Sequence, residues 1–166
     1  MEDAIFRSLG SHAASFGAKY TSRIVRRLGL DVGDVRMGVA VSDETGMLAR
    51  GLPTYVRVGP KKDLRAVAEL VRTYEVQEIV VGLPLRLDGT ESRQTEKVRA
   101  FVEALRRTVG VAVRTWDERL TTVEADQVLR ERGVKPLARK AEVDRVAAVL
   151  ILQGYLDAHW VGSSTA

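Results

Sequence analysis

Three acidic positions stand where a carboxylate could do chemistry. In Gly29-Leu30-Asp31-Val32-Gly33 one carboxylate lies inside a β-type run between two glycines. Leu28, Leu30 and Val32 share one face of that run, so Asp31 points to the other. A carboxylate in mid-strand is costly unless it is paired or holds a cation. The plain alternative is a turn-edge aspartate with a local hydrogen bond, and the rarity of buried unpaired acids outside functional sites weighs against it. Asp117 and Glu118 end another apolar run, at the position where open α/β sheets place ligands. By alternation they face opposite sides, so at most one can join Asp31. Taken alone, that pair reads better as an ordinary polar strand-to-helix loop. Asp144 falls in the first turn of a helix expected from residue 142. Its helical neighbours Ala147, Ala148 and Ile151 form an apolar stripe that turns it toward the sheet. The competing role is to complement the helix dipole.

Converging carboxylates repel one another unless divalent cations neutralise them. Oxygen ligands without His or Cys select Mg²⁺ or Mn²⁺. Two such ions can activate water and stabilise the leaving oxygen in phosphodiester hydrolysis. Composition removes the competing chemistries. With no cysteine, thiol catalysis, disulfides, Cys-ligated zinc and iron–sulfur clusters are excluded. His12 and His159 are the only histidines, which excludes most zinc hydrolases. No apolar run is long enough to span a bilayer, so no membrane partner is expected. A chain of 166 residues, 45% apolar and 29% charged, fits one globular domain. The net charge is +4, and 20 of the 26 basic residues are arginine, a composition suited to bidentate phosphate recognition.

The elements that must position these acids follow from periodicity. Residues 1–23 read as a flexible arm, rich in Ser, Ala and Gly and without the apolar core of a secretory signal. Residues 24–160 form a single domain and 161–166 a tail. Strands are expected at 27–32, 37–42, 48–58, 78–83 and 111–116, with Pro53 placing the third at a sheet edge. Helices are expected at 61–74, 91–108, from Thr122 to before Gly133, and at 142–159. Thr121 and Glu124 have capping-box spacing at the third helix. Residues 134–141 read as a basic loop. Three strands joined by short turns make an antiparallel meander, and two strands separated by helices join parallel. The expected fold is α/β, one mixed five-stranded sheet with helices on both faces.

Five ordered motifs then resemble one family. They are Gly29-Leu30-Asp31-Val32-Gly33 with Arg36-Met37-Gly38-Val39-Ala40-Val41-Ser42-Asp43, Ile79-Val80-Val81-Gly82-Leu83-Pro84, Asp88-Gly89-Thr90, Asp117-Glu118-Arg119-Leu120-Thr121-Thr122, and Asp144 with Ala147-Ala148-Val149-Leu150-Ile151-Leu152-Gln153. Together, from about residue 27 to 156, they resemble the YqgF or RuvX family, the Holliday-junction-resolvase-like, pre-16S rRNA nuclease family. The resemblance implies an RNase H-like fold, a cytoplasmic bacterial protein and a nuclease using Mg²⁺ or Mn²⁺, with two ions expected. It implies Asp31, Glu118 and Asp144 as catalytic and metal-holding acids. Asp43, Asp88 and Asp117 become supporting acids, and Arg36 and Arg119 phosphate contacts. For Asp43 and Asp88 a solvated loop charge is an equal alternative. The family's usual Lys before Arg36, and the Thr often found before that, are replaced here by Val35 and Asp34. The site thereby loses a cation and gains a carboxylate.

The segment 130–140 adds Arg130, Arg132, Lys135, Arg139 and Lys140 beside Asp144, a basic run that could guide a nucleic-acid backbone. A solvated charge run is its plain alternative. Aromatic residues make only 5% of the chain, so backbone and shape recognition is expected over base stacking. The implied partner is nucleic acid, structured RNA first and branched DNA second, with the protein a monomer or weak homodimer. Resolution of branched DNA generally needs a symmetric dimer. A catalytically weak nucleic-acid-binding factor is the alternative outside enzymes. A sugar-kinase or actin-like ATPase needs two such domains to enclose ATP, and this chain supplies one.

Overall fold

The computed structural model describes residues 24–119, 127, 130–133 and 136–159. The expected arm at 1–23, the tail at 161–166, Lys135 and most of the helix expected after Thr121 lie outside them. Within that helix, Gln127, Arg130 and Glu131 are helical.

Five strands form one sheet: β1 (Arg27–Val32), β2 (Arg36–Ser42), β3 (Ala49–Val56), β4 (Glu78–Leu83) and β5 (Ala112–Asp117). Their order is β3-β2-β1-β4-β5. The first three are antiparallel neighbours, and β4 and β5 add parallel to β1, as expected. Alternation sorts the side chains by face. Leu28, Leu30 and Val32 of β1 join Met37, Val39, Val41, Ile79, Val81 and Val113 in the larger core. That core is covered by α1 (Pro60–Thr73) and α2 (Arg93–Thr108). Pro60 opens α1, where its fixed φ suits the first turn. Ser92 caps α2 in a reciprocal box with Thr95, which starts the helix two residues later than its apolar period suggests.

The last helix, α3 (Pro136–His159), crosses the opposite face. Ala148, Ile151, Leu152, Tyr155 and Leu156 pack there on Ala40 and Val80. It begins six residues before the expected Glu142, because a proline at a helix's first position needs no amide partner. Residues 136–140 are therefore helical, and Arg139 and Lys140 belong to α3 and not to a loop. Asp144 lies beyond the first turn, which holds no acid, so complementing the helix dipole is not its role.

The α3 face is lined by small residues, which brings backbones close. A Cβ on Gly38 would sit 1.8 Å from the Asp144 carbonyl oxygen, and one on Gly29 would sit 2.7 Å from Leu152 Cβ. Gly38 is the cross-strand neighbour of Asp31. A Gly38→Ala substitution is expected to force α3 off the sheet and to cost at least about 2 kcal/mol in urea unfolding, as overpacking of rigid neighbours does. Gly110→Ala, where a Cβ meets nothing within 4 Å, is the control expected to change little. Equal effects of the two would contradict the close approach.

Candidate active site at the end of the parallel strands

The C-terminal ends of β1, β4 and β5 lie side by side, and the acids gather there. Asp31 projects from β1 toward α3, opposite its apolar neighbours. Glu118 follows β5, its amide bonded to the Leu83 carbonyl at 3.3 Å. Its carboxyl group fills the space over Gly82, where a Cβ would lie 2.4 Å from Oε2. Glu118 is buried, and its Oε2 is the one buried side-chain polar atom among the described residues that finds no hydrogen-bond partner.

The electrostatics follow from that burial. Removal from water, with the Asp144 charge adding to it and a hydrogen bond with Glu118 working against both, raises the Asp31 carboxyl to about 7. Burial likewise raises Glu118 to about 8, helped by the Asp31 charge, the hydrogen bond with Asp31 and the Asp117 charge. The two carboxyls hold one proton between them. A shared proton, or a cation in its place, satisfies the two facing acids.

Asp144 stands close enough to repel Asp31, but its own partner is Arg36, with Nε 2.9 Å from Oδ2. The structure thus brings Asp31 and Glu118 into direct interaction and holds Asp144 beside them in an ion pair. Among the described residues no group of three His, Cys, Asp or Glu side chains is arranged to hold a metal ion. The donor chemistry still fits a hard cation: two facing carboxyls, one orphaned oxygen and a third carboxylate alongside. Arg36, expected at phosphate, is occupied by Asp144 in this state.

The supporting acids divide. Asp117 faces away from Asp31 and pairs with Arg119, whose NH2 lies 2.6 Å from Oδ2, and this holds its carboxyl below the usual range. Asp88 accepts from the Thr90 amide and hydroxyl in the loop after β4. That loop is at the site's end of the sheet, and Arg119 NH1 would be 3.6 Å from a Cβ on Gly89. Asp43 is not brought to the site. It follows β2, which runs antiparallel to β1, so it lies about 16 Å along the strands from Asp31. There it accepts from Thr45, Met47 and Leu48 and closes a turn. Arg130, Arg132 and Lys140 are exposed, and Arg132 lines a cavity of about 410 Å³ with Glu142 and Arg145.

Sequence reasoning passed over the groups that fix the end of β1. Gln94 Nε2 donates to the Val32 carbonyl at 3.1 Å, and Arg57 NH1 to the Gly33 carbonyl at 2.7 Å. Arg57 is itself held by Asp63, which is 1% exposed and also accepts from the Val58 and Gly59 amides. An acid in the first turn after Gly59-Pro60 was the available signal. Asp34, standing in a usual cation's neighbourhood, pairs with Lys97 at 3.0 Å.

This sheet order, with carboxylates at the ends of its central strands, is that of an RNase H-like protein. Residues 25–158 match the family described as "RuvX: Holliday junction resolvase". The chain belongs to that family. It is 52% identical over 134 residues to a protein of Syntrophus aciditrophicus (strain SB) named "Putative pre-16S rRNA nuclease", covering 81% of this chain and 89% of that protein. It is 47% identical to one of the same name from Halothermothrix orenii (strain H 168 / OCM 544 / DSM 9562), covering 80% of this chain and 95% of that protein. The fold is also that of T. thermophilus RuvC in complex with a Holliday junction, at a TM-score of 0.54 and 17% identity over 81% of this chain and 94% of that one.

The shared proton has a consequence for stability. Below the ordinary values of 3.8 and 4.5 the protonated pair's contribution is intact, and it is lost as pH rises through about 7 and about 8. With chelator present, the unfolding free energy is expected to fall from about pH 5 to about pH 8. Asp31→Asn is expected to flatten that fall and to melt above the wild type at the upper end. A wild-type slope no steeper than the variant's would remove the shared proton.

Proposed function

We propose that this protein is a divalent-metal-dependent nuclease that hydrolyses phosphodiester bonds, with the 5′ end of precursor 16S rRNA as its substrate. The observation that carries the reading is the pair of facing carboxyls of the half-buried Asp31 and the buried Glu118, with one oxygen unsatisfied and Asp144 alongside. The relatives' name supplies precursor 16S rRNA as the substrate, and the reading places its action in the cytoplasm. No described helix is long and apolar enough to cross a membrane.

Asp31, Glu118 and Asp144 would hold Mg²⁺ or Mn²⁺, two ions in the full site, and these supply an activated water and charge stabilisation at the leaving oxygen. Asp31 and Glu118 would hold the ion as carboxylates, without their shared proton. Arg36, which pairs with Asp144, would hold a phosphate through its planar fork. Arg119, exposed at the mouth of the site, is the second phosphate contact, with Asp117 orienting its guanidinium. Arg139 and Lys140, together with Arg130, Arg132 and Lys135, steer the backbone toward Asp144. Branched DNA is the second substrate reading, carried by the family description.

The test is a matched panel of single-stranded RNA, precursor 16S rRNA, duplex DNA and a four-way junction, each with Mn²⁺ or Mg²⁺. Precursor rRNA is expected to be cut best. Asp31→Asn and Glu118→Gln are each expected to abolish cleavage, and the double substitution to be scarcely worse, because residues acting as one unit lose activity non-additively. Preferred cutting of the junction would favour the branched-DNA reading. Activity surviving in Asp31→Asn would exclude the proposed site.

Replacing Arg139 and Lys140 together with neutral residues is expected to weaken binding to every sequence and to flatten its salt dependence by about two phosphate contacts. An unchanged salt slope would make them ordinary surface charges.

A further inference from the structure

The three aromatic side chains Trp116, Tyr155 and His159 meet on the α3 face at the β5 edge of the sheet. Tyr155 and His159, one turn apart on α3, stack at 4.0 Å between ring centroids, and Trp116 meets them edge-on at 5.7 and 6.0 Å. They line an open cavity of about 570 Å³, together with Arg106, Arg114 and Glu78. Its cations are held in place: Arg106 donates to the Val113 carbonyl at 3.0 Å, and Arg114 reaches Glu78 at 3.3 Å. Glu78 is already balanced by Arg27 at 2.6 Å, so its charge does not repel an incoming anion. The Trp116 indole N–H donates to no acceptor among the described residues, although its ring is partly buried.

The cavity is connected to the acids through one strand. Arg114, Trp116 and Glu118 alternate onto the same face of β5, each about 7 Å from the next. An aromatic wall, an indole donor and fixed guanidinium groups are the chemistry of an unpaired nucleotide: a flat base to stack, edge acceptors to bind and a phosphate to hold. We infer that this cavity is a subsite for one unpaired nucleotide of the strand whose backbone reaches Glu118. The inference rests on the nucleic-acid reading of the site. It would add local stacking to the backbone and shape recognition expected from composition, because two of the few aromatic residues and a histidine meet in one place.

The test uses the full chain in a Trp160→Phe background, where Trp116 is the only tryptophan, with chelator present so that nothing is cut. The probes are a single-stranded RNA pentamer, an abasic pentamer with the same phosphates, and an RNA duplex. The single-stranded pentamer is expected to quench Trp116 fluorescence and to bind more tightly than the abasic one. Trp116→Ala, followed by anisotropy of a labelled pentamer, is expected to lose about five- to a hundredfold in affinity, the range for one stacked base. Because that variant opens a gap beside Gly154, Arg114→Ala and His159→Ala, both on exposed side chains, are measured too. Each is expected to weaken the pentamer several-fold and to leave duplex binding unchanged. Equal binding of normal and abasic pentamers, or no quenching by either, would overturn the subsite. Quenching without cleavage in a parallel Mn²⁺ assay would keep the subsite and remove the nuclease reading, and cleavage without quenching would do the reverse.

Discussion

Gly38 and Gly82 flank Asp31 on the two neighbouring strands, and neither has room for a side chain. Over Gly38 the space belongs to the backbone of α3, with the Asp144 carbonyl oxygen 1.8 Å from where a Cβ would be. Over Gly82 it belongs to the carboxyl group of Glu118 and to Ile151. The other two acids are therefore set beside Asp31 by steric fit, one from each side. Nothing electrostatic draws three carboxylates together, so packing has to do it. The helix is pressed onto that surface by Ala148, Ile151 and Leu152 against Ala40 and Val80. Most of the remaining structure serves this contact, down to Gln94 and Arg57 gripping the carbonyls that end β1.

Charge placed by packing must then be managed, and the molecule does so in two ways. Asp144 sits nearer solvent and is neutralised by Arg36 across a separation of 108 residues in sequence. Asp31 and Glu118 have no basic partner among the described residues, and hold a proton in place of one. Each device is reversible, because the proton leaves as pH rises and a partly exposed ion pair can open. The energetic cost of gathering the acids is thus confined to these few groups.

Much of this was legible in one dimension because period-2 alternation is a local property. It placed Asp31 opposite Leu30 and Val32, allowed only one of Asp117 and Glu118 to face inward, and turned Asp144 toward the sheet through Ala147, Ala148 and Ile151. The antiparallel meander and the parallel addition of two further strands followed from which strands are joined by turns and which by helices. What failed was adjacency in sequence taken as adjacency in space. Asp43 sits one residue beyond the strand paired with β1, yet an antiparallel strand carries it to the opposite end of the sheet. Arg36 looks like a free cation until its distant partner is in place. The basic stretch ahead of Glu142 looked like a loop because its polar residues have no core face. Pro136 makes it the start of a helix instead.

The two faces of the sheet divide the labour. The face under α1 and α2 carries Leu28, Leu30, Met37, Ile79 and Val81, the large residues that bury most apolar surface. The face under α3 carries Gly29, Asp31, Gly38, Gly51 and Gly82, which bury little but allow close approach. A site that holds carboxylates this close needs small residues and exact distances, both of which work against a bulky core. The same strands satisfy both demands, because alternate residues answer to opposite faces. Stability can be concentrated on one side of the sheet, and the other side is left free to hold carboxylates close together.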